Sequence, residues 1–118
     1  MLYASSTLSL ACLEVLVHVK EPRLPVDYGW VRIELPARLL GKAGRGCEPA
    51  DEDWCRQFGS DWIAAAPQPA VEVPSVIIPT ESNILLNPLH PEFAKLAFSD
   101  PAPFRFDPRL LKLGPVPL

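Results

Sequence analysis

Proline is the residue that most limits how this chain can fold. Fifteen of the 118 residues are proline, more than twice the share of about 5% in average proteins. Each proline fixes φ, removes a backbone donor and keeps the residue before it out of the helical region. The sequence therefore favours short elements joined by rigid corners, and it excludes a bundle of long helices.

The composition predicts one globular domain that does not bind nucleic acid. Hydrophobic residues make up 48% of the chain and charged residues 21%, which is ordinary usage for a folded protein with a single core. We therefore expect residues 1–118 to form one domain. The net charge is −3, whereas a protein that neutralises phosphates needs a surplus of Lys and Arg on one face.

Cysteine and histidine are too few and too scattered to predict a metal site. The chain has three cysteines and two histidines, with no CxxC pair. Structural zinc sites bring four such ligands together at short spacings. We expect no metal ion, and cysteines that stay reduced in the cytoplasm. A contact between Cys47 and Cys55 across a loop stays open.

The apolar run from Leu8 to Val19 is predicted to be neither a membrane span nor an export signal. It is much shorter than the roughly 20 residues that cross a bilayer. A secretory signal has a Lys or Arg before its apolar run, but none precedes this one. Glu14 also interrupts the run. We expect a buried helix of a cytoplasmic protein with no membrane partner. Lipid attachment at Cys12 is a distant alternative.

The hydrophobic pattern predicts strands and helices in alternation. Strands are expected at Met1–Ala4, Tyr28–Leu35, Asn83–Asn87 and Phe104–Phe106. Helices are expected from a Ser5 or Ser6 cap to about Val19, at Trp54–Ala66 and at Pro91–Phe98. The first helix is apolar on nearly every side, which predicts a place in the core.

Two further segments complete the predicted organisation. Gly41–Asp53 is rich in glycine and charge and is predicted to be an exposed loop. Ala70–Ile78 is rich in strand-forming residues, but Pro74 makes it an edge strand or forces a bulge. The predicted class is therefore α/β or α+β, with a short mixed sheet and packed helices.

Glu14 is the first candidate for a functional side chain. Its neighbours one helical turn away are Leu10, Ala11, Val17 and His18. A carboxylate among apolar neighbours loses hydration unless a positive partner or a ligand hydroxyl compensates. The alternative is a pair between Glu14 and His18 at a partly solvated helix edge.

Ser75, Asn83 and Tyr3 are further candidates, each with a structural alternative. Ser75 follows a proline in an apolar segment, where a hydroxyl can point into a cleft or bind a nearby carbonyl. Asn83 and Asn87 border an apolar strand, and Asn87 precedes a proline as in a turn. Tyr3 could stack on a ligand ring or fill the core.

Several motifs follow one another in an order that can be compared with known families. They are Tyr3-Ala4-Ser5-Ser6, Leu13–His18, the Gly59-Ser60-Asp61-Trp62 helix, Val73-Pro74-Ser75, Asn83–Pro91 and Phe104–Leu110. Over nearly the whole chain they resemble the RES-domain family. The Asn-Pro-x-His-Pro block that follows Val-Pro-Ser is the most specific part of the resemblance.

The resemblance implies a compact fold related to ADP-ribosyltransferases and a toxin of a toxin–antitoxin module that consumes NAD. It implies that Glu14 and Ser75 match the family's catalytic glutamate and serine, and that Tyr3 and Asn83 bind the nucleotide. NAD is then the substrate and no cofactor is needed. The implied protein partner is an antitoxin with an Xre-like helix-turn-helix.

The resemblance also implies that one family residue lies outside the chain. The family's arginine precedes its tyrosine in a Gly-Gly-Arg-Trp-Asn stretch, and only Met1 and Leu2 precede Tyr3 here. We therefore expect a domain that is N-terminally truncated relative to the family. The alternative function is that of an inactive fold that binds an antitoxin or self-associates.

Overall fold

The computed structural model describes residues 1–19, 23–43 and 52–110, and every element in these ranges is short. The helices are α1 (Leu8–Val17) and α2 (Glu52–Ala65). The strands are β1 (Leu2–Ser5), β2 (Tyr28–Trp30), β3 (Ile33–Glu34), β4 (Leu40–Lys42), β5 (Ala70–Pro74), β6 (Ser82–Leu86), β7 (Ala97–Phe98) and β8 (Ala102–Phe104). Turns of 3-10 helix lie at Ala37–Leu39, Phe93–Lys95 and Pro108–Leu110.

A four-stranded mixed sheet forms the centre of the fold. Its strand order is β1-β6-β5-β4, in which β4 and β5 are parallel and the other neighbours are antiparallel. The parallel pair is connected through α2, as a crossover requires. β2 pairs with β8, and β3 with β7, in two small ribbons. This arrangement confirms the predicted α+β class with a short mixed sheet and packed helices.

The two faces of the sheet have different coverings. Tyr3, Leu85 and Val71 lie side by side on one face, where Trp62 of α2 packs on Leu85 and Val71. The buried core on the opposite face consists of Leu39, Ala70, Leu86 and Leu96. Tyr3 is nevertheless 72% exposed. Helix α2 therefore covers the β5 and β6 part of this face of the sheet and leaves the part formed by β1 uncovered.

Helix α1 is more exposed than the sequence predicts. Its N-cap is Thr7 rather than Ser5 or Ser6, with Thr7 Oγ1 accepting a hydrogen bond from Leu10 N at 3.1 Å. Leu10 is buried, whereas Val17 is 59% exposed. The prediction of a core helix was wrong because α1 packs on β1, the edge strand, which covers one side of the helix. No helix in the described ranges is long and apolar enough to cross a bilayer.

The predicted strand at Tyr28–Leu35 divides into β2 and β3, which have different partners. Arg32 lies between them, and its backbone N donates to Ser99 Oγ at 2.8 Å instead of to a neighbouring strand. The predicted loop at Gly41–Asp53 begins with residues of β4 and ends with residues of α2. Residues 44–51 lie outside the described ranges, so the contact considered for Cys47 and Cys55 stays open.

Pro74 neither makes β5 an edge strand nor forces a bulge in its pairing with β6, and that prediction was wrong. β5 lies between β6 and β4, with Pro74 as its last residue. At this position the missing amide donor costs little, because the ladder ends there. The corner that follows places Ser75 just beyond the end of the strand.

The predicted helix at Pro91–Phe98 is a turn followed by β7, so that prediction was also wrong. Phe93–Lys95 forms a 3-10 turn, in which Lys95 N donates to Glu92 O at 3.0 Å and Leu96 N to Phe93 O at 3.1 Å. Ala97 and Phe98 then pair with β3 instead of continuing a helix. Before this turn, Asn87 Oδ1 accepts a hydrogen bond from Leu89 N at 3.1 Å. The predicted turn at Asn87 is confirmed.

Candidate active site

Glu14 of α1 is bound by side chains from the sheet and from the corner after β5. Its Oε1 accepts hydrogen bonds from Ser75 Oγ at 3.0 Å and from Asn83 Nδ2 at 2.8 Å. The two partners lie 61 and 69 positions away along the chain. The fold thus brings together three of the residues that the sequence singles out, and the sheet holds the carboxylate rather than His18.

Asn83 is oriented by the strand opposite it. Ser5 and Asn83 face each other in the antiparallel pairing of β1 and β6, and Ser5 Oγ donates to Asn83 Oδ1 at 2.9 Å. With its oxygen directed to Ser5, the amide presents its NH₂ group to Glu14. An amide nitrogen has two hydrogens, so one remains for a ligand.

Ser75 is fully buried, with 0% of its surface exposed. Its hydroxyl donates to Glu14 and accepts hydrogen bonds from Ile77 N and Ile78 N, each at 3.1 Å. One donor and two acceptors are all that a hydroxyl provides. Ser75 therefore ties the carboxylate to the backbone of the corner after β5.

A cavity of about 820 Å³ lies beside Glu14, within the size range of small-molecule sites. Side chains from β1, α1, β2 and β6 line it, among them Tyr3, Ser5, Glu14, His18, Tyr28 and Asn83. Tyr3 is 72% exposed and Tyr28 45% exposed, so both rings are accessible to a ligand. Ser75 lies behind Glu14 and is not part of the lining.

Tyr28 and Ser5 belong to this site but were missed by sequence reasoning. Tyr28 begins the strand β2, and its ring contacts Phe106 edge-to-face with 5.7 Å between ring centroids. Phe106 is buried and makes a second edge-to-face contact, with Phe104. The Tyr28 ring is therefore supported by a packed aromatic cluster. An aromatic residue that begins a strand is too common a feature to have marked Tyr28 as part of a site.

The site combines one carboxylate with aromatic walls. No partner for Glu14 Oε2 exists among the described residues, and none of the described residues lining this cavity is Lys or Arg. A carboxylate fixed at one oxygen can accept hydroxyl hydrogen bonds at the other and stabilise positive charge nearby. Residues 1–19, 23–43 and 52–110 contain no cluster of three or more metal-binding side chains.

Comparison with known proteins agrees with the resemblance seen in the motifs. The family model described as the RES domain matches residues 1–107. The chain is 35% identical over 120 aligned positions to a protein of Sphingobium sp. named Prs ADP-ribosylating toxin, with 93% of this chain and 74% of that protein aligned.

Two further relatives are each named Toxin Res. The protein from Yersinia enterocolitica is 32% identical, with 92% of this chain and 76% of that protein aligned. The protein from Photorhabdus laumondii is also 32% identical, with 79% of this chain and 64% of that protein aligned. A family match over nearly the whole sequence, together with relatives of this similarity, shows that the chain belongs to the RES domain family.

Proposed function

We propose that this chain is a toxin domain that cleaves NAD at the bond between nicotinamide and ribose. The main supporting observation is the Glu14 carboxylate, which Ser75 and Asn83 hold at the wall of a cavity that also exposes Tyr3 and Tyr28. The name of the Sphingobium relative, an ADP-ribosylating toxin, agrees with a reaction that begins at this bond of NAD.

The chemistry needs a negative charge beside the ribose. When the glycosidic C–N bond breaks, nicotinamide leaves with the bonding electron pair, and positive charge develops on the ribose carbon. The Glu14 carboxylate stabilises this charge and accepts a hydrogen bond from the sugar. Water or inorganic phosphate then forms the new C–O bond. With water, the acceptor loses its proton to solvent, and the products are nicotinamide and ADP-ribose.

The other residues bind the substrate or orient the carboxylate. Tyr3 stacks on the flat ring of the nucleotide, and Asn83 donates its remaining N–H to the ligand. The family resemblance implies a catalytic role for Ser75. Because its hydroxyl has no bonding capacity left, we assign it a positioning role toward Glu14 instead.

Product analysis tests this function. A form that includes the family's upstream arginine is incubated with NAD in Tris and in phosphate buffer, and the products are separated by chromatography and identified by mass. We expect nicotinamide in both buffers if water is an acceptor, and a phosphorylated ADP-ribose in phosphate buffer if phosphate is the acceptor. If a form that includes the family's upstream arginine releases no nicotinamide in either buffer, the proposal is wrong.

A second test compares NAD binding with and without the family's arginine. An arginine normally binds a pyrophosphate through two charge-assisted hydrogen bonds, each contributing roughly 1.5–3 kcal/mol. We expect residues 1–118 alone to bind NAD more weakly than about millimolar and to turn it over undetectably. A chain extended upstream through the arginine should bind at least about tenfold more tightly and be active. Micromolar binding by the 118-residue chain would contradict this expectation.

The proposed partner is an antitoxin with an Xre-like helix-turn-helix, and the proposed location is the cytoplasm. A second candidate function is binding of that antitoxin without catalysis. Exposed apolar side chains on β1 and α1, namely Leu2, Tyr3, Leu8 and Val17, favour a protein contact there. Growth arrest that co-expressed antitoxin relieves, together with loss of cellular NAD, supports the toxin. Antitoxin binding without loss of NAD supports the second function.

A further inference from the structure

A second cavity adjoins the one beside Glu14. It measures about 360 Å³ and lies between α2 and the open end of the sheet. Tyr3 and Asn83 line both cavities. A ligand that fills the first cavity and is long enough to pass these two side chains therefore enters the second.

The walls of the second cavity suit a flat aromatic group. Trp54 and Phe58 of α2 stack on each other, with 5.1 Å between ring centroids and 11° between ring planes, and both line the cavity. Val73 and Leu85 of the sheet add apolar surface. Aromatic side chains of this kind bind nucleobases by stacking.

A cation lies at the same cavity. Arg56 is part of its lining and forms an ion pair with Asp53, and both side chains are largely exposed. None of the described residues lining the larger cavity is Lys or Arg. Of the two cavities, the smaller one therefore offers a guanidinium to a phosphate group.

We propose that the second cavity binds the adenine nucleotide half of a dinucleotide, with the base against Trp54 and Phe58 and a phosphate toward Arg56. This inference rests on the proposed function, because the larger cavity with Glu14 then holds the nicotinamide and its ribose. Tyr3 and Asn83 lie where the two halves meet. The aromatic wall and the neighbouring cation both favour a nucleotide, and the adenine base follows from the proposed substrate.

Filling the cavity tests the proposal without removing any residue of the core. Ser60 is exposed on α2 and lines the cavity, so Ser60→Trp places a large ring in the opening. Ala64 lies one helical turn further along, is also exposed and does not line the cavity. Ala64→Trp is the matched control, and circular dichroism checks that both variants fold.

Calorimetric titration with adenosine monophosphate and with nicotinamide mononucleotide gives the readout. We expect Ser60→Trp to weaken binding of adenosine monophosphate at least about tenfold, the scale of one lost base stack. Ala64→Trp should leave it within about twofold, and neither variant should change binding of nicotinamide mononucleotide by more than that. The proposal is wrong if the parent does not bind adenosine monophosphate, or if Ser60→Trp binds it as the parent does.

Arg56→Gln provides a second variant that does not depend on filling space. It should weaken binding of adenosine monophosphate and leave binding of adenosine, which has no phosphate, unchanged. Equal effects on both ligands would contradict a phosphate contact. If adenosine monophosphate binds here but NAD is not cleaved, the proposed reaction fails and this site stands. If NAD is cleaved without such binding, the site fails and the reaction stands.

Discussion

Replacing Ser75 with alanine removes the hydroxyl that connects Glu14 to the corner after β5. The side chain is fully buried and makes three hydrogen bonds, one to the Glu14 carboxylate and two from the backbone N–H groups of Ile77 and Ile78. Alanine makes none of them, so two backbone N–H groups and one carboxylate oxygen lose a partner.

The expected loss of stability follows from these three bonds. Each bond from a backbone N–H contributes about 0.5–1.5 kcal/mol net, and a bond to a charged group about 1.5–3 kcal/mol. Glu14 is only half-buried, so water replaces part of the last contribution. We therefore expect Ser75→Ala to lower the free energy of unfolding by about 2–4 kcal/mol.

Urea denaturation measures this change, with Ser9→Ala as the control. Ser9 is exposed on α1, and its replacement should change the free energy of unfolding by no more than about 0.5 kcal/mol. Combining Ser75→Ala with Glu14→Ala should show a coupling of about 1 kcal/mol, because the two side chains share a bond that either substitution removes. A loss below about 0.5 kcal/mol for Ser75→Ala, or additivity of the two changes, would refute the positioning role.

Three further predictions concern the cavity, the acid stability and the association of the chain. In a form that includes the family's upstream arginine, Tyr28→Ala should weaken NAD binding about fivefold or more in calorimetry, since stacking is lost, whereas Tyr28→Phe should retain it; equal effects would contradict a ring contact. Hydrogen bonds from Lys95 and Arg38 lower the pKa of Glu92 below its usual value of 4.5. Their stabilising effect is therefore present above that pH and is lost as the pH falls through the lowered pKa, so the stability difference between Glu92→Gln and the parent should vanish in acid. Exposed apolar side chains on β1 and α1 predict self-association of residues 1–118 at tens of micromolar, and a monomer in light scattering would count against it.

The fold class, helix α2 and the strands β1, β5 and β6 could be predicted approximately from local sequence, because prolines and alternation limit where short strands and helices begin and end. The contacts of Glu14 could not be derived in this way. Its partners Ser75 and Asn83 lie 61 and 69 positions away, and only the family resemblance indicated that the three belong to one site. Their roles follow from the hydrogen bonds, which no sequence pattern contains.

The failed predictions share a physical cause, which is tertiary context. The composition of α1 predicts a core helix, but the edge strand beside it covers only one side. Pro74 was expected to disrupt a strand, yet at the last position of β5 it replaces an amide that the ladder does not need. The helix expected at Pro91–Phe98 is a 3-10 turn because its last two residues, Ala97 and Phe98, pair with β3.

The rate of nicotinamide release by Glu14→Gln tests the central claim most directly. The substitution keeps the shape and the hydrogen-bonding oxygen while removing the charge, and Glu34→Gln, at an exposed glutamate of β3, is the matched control. In a form that includes the family's upstream arginine, we expect Glu14→Gln to lower the rate at least about 100-fold with the cooperative unfolding transition retained, and Glu34→Gln to leave the rate unchanged. A Glu14→Gln variant that releases nicotinamide at the parent rate would show that the carboxylate is structural and that the proposed mechanism is wrong.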